Sequence, residues 1–397
     1  MATLARVAGL DEVLVTAFVS PASFTGEDVV EISAHGSPAI LDEIVARAIQ
    51  GGARHAKPGE FSLRAVLNGR MDLVQAEAVS DLIQSDSRRQ AAVAFDQLDG
   101  LLTGRIQAIE RALFELRALL EASLDFPDEG YRFIEGEVAQ SRIELLVAEI
   151  EELLGVGKVG RVIRDGARVL LVGRRNAGKS SLFNRLVGFD RAIVSEVAGT
   201  TRDLVTESVV MAGLTVRLVD AAGLGETQDS IEAEGMSRTM GAMGVADLVL
   251  VVIDGSCELL EPDTVAGSLD VGRRLVVLNK VDVDAERVGV AQGRGWIPVS
   301  AVSGLGLEAL RDAVVAKLSG GEAASECPAI SNERHLRHLE VARSALLRGR
   351  SLCAEGVPEE FVLGELADAA AELQQITGVR ASEEVLEEVF ARFCIGK

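Results

Sequence analysis

The sequence predicts a mostly parallel α/β domain inserted into a helical domain, with a small α+β domain ahead of both. Three observations lead there. Between residue 166 and about residue 320, apolar runs of strand length alternate with helix patterns, as in a sheet wound with helices. On either side of that stretch the chain turns Ala- and Leu-rich, with charges four residues apart, the pattern of surface helices. Before residue 70 it is turn-rich, with short strand and helix signals. The boundaries drawn from these shifts are 1–70, 71–165, 166–320 and 321–397.

Taken in order, "EDVVEISAHG" predicts a strand running into a turn at Gly36, and "PAILDEIVARAIQGG" an amphipathic helix closed by glycines. "KPGEFSLRAVLNGRMDL" reads as a turn-rich segment with Gly59 and Gly69 as breakers. From Val74 to about Leu124 the pattern is helical, and it halts at "LDFPDEG", where Pro127 and Gly130 intervene. A second helix is expected over roughly 136–155. "RVLLVG", from Arg168, is a short buried strand. Helical character returns from Glu333 to the end.

At 397 residues the chain is too long for one core and should form two or three domains. No apolar run approaches the length of a bilayer span, and Asp11 and Glu12 spoil the opening as a signal peptide. A cytoplasmic location is expected. Cys257, Cys327, Cys353 and Cys394 lie far apart, which argues against a zinc site or a disulfide framework; buried, inert thiols are the default for the first three. His335 and His338 stand three apart on a helix and read as a surface pair. The net charge of −21 excludes nucleic-acid binding through a broad basic field.

The inserted segment carries motifs in a fixed order. "GRRNAGKS", Gly173 to Ser180, fits G-x-x-x-x-G-K-[ST] between a strand and a helix. Its backbone N–H groups, across Asn176, Ala177, Gly178, Ser180 and Ser181, can close round phosphates at the helix N-terminus. Lys179 would reach the β- and γ-phosphates, and Ser180 would hold Mg²⁺. "GTTRD" supplies a second hydroxyl for the metal, Thr201. "VDAAG" puts Asp220 near the metal and, past Ala221 and Ala222, the Gly223 N–H near the γ-phosphate. "LNKVD" supplies Asn279, Lys280 and Asp282 as base readers. One carboxylate can accept both the N1–H and the amine of guanine, which adenine lacks there, so Asp282 selects GTP. Ser300 and Ala301 of "VSAVSG" would close over the base. The ordered set implies a GTP-binding domain.

The residue after D-x-x-G is Leu224, where small signalling GTPases carry a glutamine that orients water. Another catalytic element is therefore implied. Asn176 either caps the phosphate loop or, with the carbonyls of "VSEVAGT" (Ser195, Glu196, Val197, Ala198, Gly199 and Thr200), cages a monovalent cation.

Through "SFTGEDVVEISAHG", "KPGEF", "LNGRMDLVQAEAV", "LDFPDE", "NAGKSS", "AGTTRD", "NKVD" and the terminal "FCIGK", the chain closely resembles the MnmE (TrmE) family of tRNA modification GTPases, from about Phe18 to Lys397. The resemblance implies a potassium-activated GTPase that forms a homodimer through its G domains. It also implies a flavin-containing partner, MnmG, with which the 5-carboxymethylaminomethyl group is built on the wobble uridine of tRNA. Asn176, Ser195, Val197 and Thr200 match the family's K⁺ site, and Ser180 and Thr201 its Mg²⁺ ligands. Glu232 matches the carboxylate that positions the attacking water. Glu31, Arg70 and Lys397 match contacts to a 5-formyl-tetrahydrofolate-type ligand, and Cys394 lies near the modification chemistry.

Two departures stand out. "DAAG" replaces the usual "DTAG", with D-x-x-G intact, and the family's opening strand, with its folate-contacting arginine, has no match here, so an incomplete folate pocket is expected. A second function class, a regulatory or ribosome-assembly GTPase, would ordinarily carry a Lys- and Arg-rich appendage.

Overall fold

The computed structural model describes residues 2–125, 133–189, 206–220, 244–259, 261–262, 271–319, 330–391, 393 and 396. The chain divides into two compact units. The first comprises Met1–Ile83, Ala94–Glu152 and Arg337–Lys397, and the second Gln84–Val93 and Leu153–Leu336.

In the first unit, β1 (Ala2–Val7), β2 (Asp11–Phe18) and β3 (Val29–Ser33) form an antiparallel sheet in that order. The expected helix follows as α1 (Pro38–Gln50), with proline in its first turn and Gly51 at its end. Gly59 and Gly69 both adopt positive φ, as breakers should. Between them the turn-rich reading needs correction, because Glu60–Leu67 forms α2. Its Ser62 and Ala65 are buried, so packing stabilises a helix too short to hold on its own.

Glu60 is the hub of this corner. Its carboxylate accepts from Arg54 Nη1 and Nη2 at 2.8 and 2.5 Å, from Arg64 Nη2 at 2.7 Å, and from the Lys57 N–H at 2.8 Å. Arg64 reaches on to Glu27 at 2.8 Å. These donors, Arg54 first, hold the Glu60 carboxyl well below the usual carboxylate range.

The long helical stretch expected from Val74 to about Leu124 is three helices, α3 (Leu73–Ile83), α4 (Arg88–Leu98) and α5 (Leu101–Asp125). Reciprocal caps set the starts. Gln75 N–H donates to Asp72 Oδ1 at 2.8 Å while Asp72 N–H donates to Gln75 Oε1 at 3.0 Å. Gln90 N–H donates to Ser87 Oγ at 3.2 Å and Ser87 N–H returns to Gln90 Oε1 at 2.9 Å. The second expected helix is longer than predicted: α6 runs Gly136–Asp165.

The second unit is built on a six-stranded sheet of order β5-β6-β4-β7-β8-β9, from β4 (Ala167–Gly173), β5 (Thr206–Met211), β6 (Leu214–Asp220), β7 (Leu248–Asp254), β8 (Arg274–Asn279) and β9 (Ile297–Pro298). Among the described strands of this sheet only the β5–β6 hairpin is antiparallel. The central strands are apolar on both faces because both are covered. Val169, Leu171, Leu250 and Val252 face a layer with Leu182 and Leu186 of α7 (Lys179–Phe189) and Leu310 and Val314 of a helix over Leu307–Leu318. Leu170, Val172, Val249 and Val251 face the other side, towards Ala291 and Trp296. Each fully buried side chain of this size contributes roughly 1.5–3 kcal/mol.

The last turns of α6 belong to this unit, which explains the extra length. Val162 and Ile163 enter the first core layer. Arg161 Nη2 donates to Asp247 Oδ1 at 2.6 Å, and the other oxygen of Asp247 accepts the Arg168 N–H at 2.9 Å.

Two helical segments complete the carboxyl-terminal part of the first unit, Glu359–Thr377 and Glu383–Ala391, after a helix over Glu333–Glu355. His335 and His338 are not the surface pair expected. His335 is fully buried, its Nε2 accepting from Arg334 at 3.0 Å. His338 Nδ1 donates to Glu372 Oε2 at 2.6 Å. Phe390 and Phe393, with ring centroids 5.1 Å apart, are buried beside Leu73 and Ala76. So the first residue of the terminal motif is anchored in a core. Among the described residues no helix is long and apolar enough to cross a membrane.

Two stability predictions follow from α6 and from Glu60. A Cβ on Gly160 would run into the Ile330 carbonyl oxygen, whereas one on Gly155 meets nothing within 4 Å. Gly160→Ala should therefore destabilise by about 1–3 kcal/mol through overpacking. Gly155→Ala should instead stabilise by roughly 0.5–1 kcal/mol through helix propensity. Urea denaturation of both variants reads the opposite signs. For Glu60, a depressed folded pKa gives stability that is present above the ordinary value of 4.5 and lost as pH falls through the folded value. Wild-type melting temperature should thus drop more steeply than that of Glu60→Gln between about pH 5 and pH 3.

Candidate nucleotide-binding site

β4 ends at Gly173, and the chain turns over residues 174–178 into α7. Three features of this turn follow from its residues. Asn176, at φ 65°, adopts a left-handed conformation that asparagine tolerates better than most residues. Ala177 is buried. Gly178, at φ 86°, lies so close to Asn279 that a Cβ there would collide with the Asn279 amide nitrogen. The loop is tight because glycine stands at its narrowest point.

Lys179 Nζ donates to the carbonyls of Gly173 and Arg174, both at 3.0 Å, so its ammonium is held over the mouth of the loop. Burial lowers its pKa, opposed by the negative charge of Asp220. Ser180 Oγ donates to Asp220 Oδ2 at 2.9 Å. A hydroxyl and a buried carboxylate, hard oxygens side by side at a helix N-terminus, suit Mg²⁺. That pairing is an observed fit for the divalent ion a phosphoryl-transfer site needs. When bound, Mg²⁺ neutralises charge on the β- and γ-phosphate oxygens.

At the end of β8, Asn279 is the central residue and is 1% exposed. Its Nδ2 donates to the Ala177 carbonyl at 2.9 Å, and its Oδ1 accepts the Ala301 N–H at 3.1 Å. One side chain thus joins the phosphate loop to the loop that begins at Ser300. The Asn-Lys-x-Asp motif marks Asn279 as a base reader but says nothing of this bracing role, whose signal is a polar amide ending a buried apolar strand. Lys280, at φ 65°, turns back towards β7, and Asp282, two residues on, is exposed. Ser300 is buried, and its Oγ accepts the Ser303 N–H at 3.1 Å.

The structure therefore brings together Asn176, Ala177, Gly178, Lys179, Ser180, Asp220, Asn279, Lys280, Ser300 and Ala301 at the carboxyl ends of β4, β6 and β8. Ser181 is exposed on the first turn of α7. Ser195, Glu196, Val197, Ala198, Gly199, Thr200, Thr201, Ala221, Ala222, Gly223, Leu224 and Glu232 lie outside the described residues, as do Cys327, Cys394 and Lys397. Glu31 is exposed on β3 opposite Thr16, and Arg70 is exposed beyond α2 with its stem against Gly26. Cys257 is exposed rather than buried, and burial pushes the Cys353 thiol pKa up.

A mostly parallel sheet feeding a phosphate loop from β4, with Asn-Lys-x-Asp at the end of β8 two strands along, defines a P-loop GTPase. Comparison with known proteins narrows the class. The family model described as the MnmE helical domain matches residues 73–394, and that described as the GTP-binding protein TrmE N-terminus matches residues 3–70. The tRNA modification GTPase MnmE of Koribacter versatilis is 42% identical over 398 residues, covering 98% of this chain and 86% of that protein. Those of Pseudomonas aeruginosa and an Azoarcus species are 38% and 40% identical, with 87% and 89% of their lengths covered. The chain belongs to the MnmE family of tRNA modification GTPases.

The bracing role of Asn279 is open to test. Asn279→Ala would leave the Ala177 carbonyl and the Ala301 N–H without partners, at about 1–3 kcal/mol for each buried group. GDP affinity should fall at least roughly tenfold, read by titration with a fluorescent GDP analogue. An unchanged affinity would show that the two loops hold their places without it.

Proposed function

We propose that this protein hydrolyses GTP to drive formation of the 5-carboxymethylaminomethyl group on the wobble uridine of tRNA, acting with a flavin-containing partner of the MnmG type. The observation that carries the reading is the joint placement of Lys179, Ser180 and Asp220 beside Asn279 and the exposed Asp282. Family membership supplies the tRNA context.

In this reading Lys179 exchanges its loop carbonyls for the β- and γ-phosphates and stabilises charge that grows there in the transition state. Its partial burial raises the strength of that interaction. Ser180 and Thr201 would hold Mg²⁺, with the Asp220 carboxylate beside Ser180 adding negative charge that favours the ion. The N–H groups of Asn176, Ala177, Gly178, Ser180, Ser181 and Gly223 cradle the phosphates, while Asp282 reads guanine. Glu232 orients the attacking water, the task that Leu224 cannot perform. Asn176, Ser195, Val197 and Thr200 would hold K⁺, which would supply the positive charge that other systems take from an arginine finger. Glu31, Arg70 and Lys397 contact a 5-formyl-tetrahydrofolate-type ligand, with Cys394 near the modification chemistry.

Support for a partner-held tRNA comes from charge. The chain is strongly acidic, and arginines such as Arg105, bonded to Glu149 and Glu152, are engaged by carboxylates. Hydrolysis by the purified protein, compared in KCl and NaCl, tests the catalytic reading. Turnover should fall by roughly 10²- to 10³-fold in Na⁺, the usual loss on removing one transition-state contact. Equal rates in both salts would remove the potassium site. Co-purification from native cells with a flavoprotein and tRNA supports the modification role, whereas recovery with ribosomal particles alone would favour an assembly factor.

A further inference from the structure

The carboxyl end of β7 carries a residue with no role in the reading above. Asp254 is the Cα partner of Asn279 in the parallel β7–β8 ladder, so the two strands end level. The Gly255 N–H donates to the Asn279 carbonyl at 2.8 Å and locks that level ending. Just beyond, Lys280 takes its left-handed conformation, which is unusual for a residue with a long side chain. The bend sends its side chain across the end of β7, where Nζ meets Asp254 Oδ2 at 2.7 Å. Both groups are largely shielded, the Asp254 side chain 21% exposed and that of Lys280 33%.

Asp254 is itself pinned. Its Oδ1 accepts the Ser256 N–H at 2.8 Å and the Ser256 hydroxyl at 2.5 Å, so the carboxylate cannot follow a wandering lysine. Burial pushes its pKa up, but the bonds from Lys280 and Ser256 outweigh this and hold the carboxyl below its ordinary value. Along its length the Lys280 stem passes beside Gly178 of the phosphate loop, with Cε 3.9 Å from the position a Gly178 Cβ would take. The stem is therefore stretched between a fixed anion at its tip and the phosphate loop at its flank. Asp282 follows two residues later on the same turn.

We propose that Asp254 is a positioning residue for guanine nucleotide retention: by anchoring the Lys280 ammonium it holds the lysine stem against the phosphate loop and fixes the turn that presents Asp282. The inference rests on the GTP-binding reading of the site and adds to it a control on how long the nucleotide stays. Without the anchor, the left-handed turn at Lys280 loses the contact that opposes its relaxation. The Asp282 carboxylate then leaves register with the base. The free ammonium also becomes a mobile cation beside the phosphate loop, competing with the ordered contact of Lys179.

The test measures release of a fluorescent GDP analogue from the full chain. Asp254→Asn keeps the size and the bonds to Ser256 but removes the charge. Release should quicken roughly ten- to a hundredfold, the loss expected for one charged hydrogen bond. In GTP hydrolysis KM should rise by more than kcat falls, since the residue does not touch the reacting phosphate. In a Lys280→Gln background, Asp254→Asn should change release by less than about twofold, because the two act through one contact. Release at the wild-type rate, or an undiminished effect in the Lys280→Gln background, overturns the proposal. If thermal melting shows that Asp254→Asn does not fold, Ser256→Ala, which loosens the anchor alone, should quicken release severalfold, and an unchanged rate there overturns the proposal too. A wild-type protein that fails to retain GDP at all would instead bring down the guanine-binding reading with it.

Discussion

A single buried amide decides whether this site exists as one object or as two loops. Asn279 sits at the end of β8, almost wholly shielded from water, with both ends of its side chain committed. A buried donor or acceptor left unpaired is costly, so neither loop can drift without an energetic penalty. The asparagine is in turn placed by the sheet, whose central strands are packed on both faces. The order of dependence runs from two-sided burial, to level strand ends, to one amide, to a pre-formed phosphate loop.

How much of this was legible in the sequence depends on how local the cause is. The strand before the phosphate loop was readable because a residue run buried on both faces must be apolar throughout. The Gly-x-x-x-x-Gly-Lys-Ser spacing was readable because close approach of backbone demands glycine, and Gly178 meets that demand against Asn279. The breaks that divide α3, α4 and α5 were equally local, since Asp72–Gln75 and Ser87–Gln90 are capping pairs, but a continuous helical pattern hid them. The extension of α6 to Asp165 was not local at all. It depends on Arg161 finding Asp247, eighty-six residues away, and on Val162 and Ile163 entering a core formed by the sheet. His335 failed for the same reason, because burial of a histidine is set by what packs over it.

Charge follows a comparable division. The excess of acid was visible in the composition, but its arrangement was not. In the first unit, carboxylates are gathered round arginines: Glu60 with Arg54 and Arg64, Glu149 and Glu152 with Arg105, Glu365 with Arg348. Exposed pairs of this kind add little stability individually. Their consequence is electrostatic, for an arginine already matched to carboxylates projects little positive field towards a polyanion.

The burial of Phe393 beside Leu73 and Ala76 bears on the order in which the chain can fold as it is made. Leu73 leaves the ribosome more than three hundred residues before its aromatic neighbours, and for most of synthesis that apolar surface lacks the cover they provide. The sheet of the second unit, by contrast, draws its strands from Ala167 to Pro298 and can close while the last helices are still being translated. A nascent chain of this protein therefore passes through a long interval with one unit assembled and the other waiting. During that interval the apolar surface round Leu73 is the part of the nascent chain most open to non-specific association.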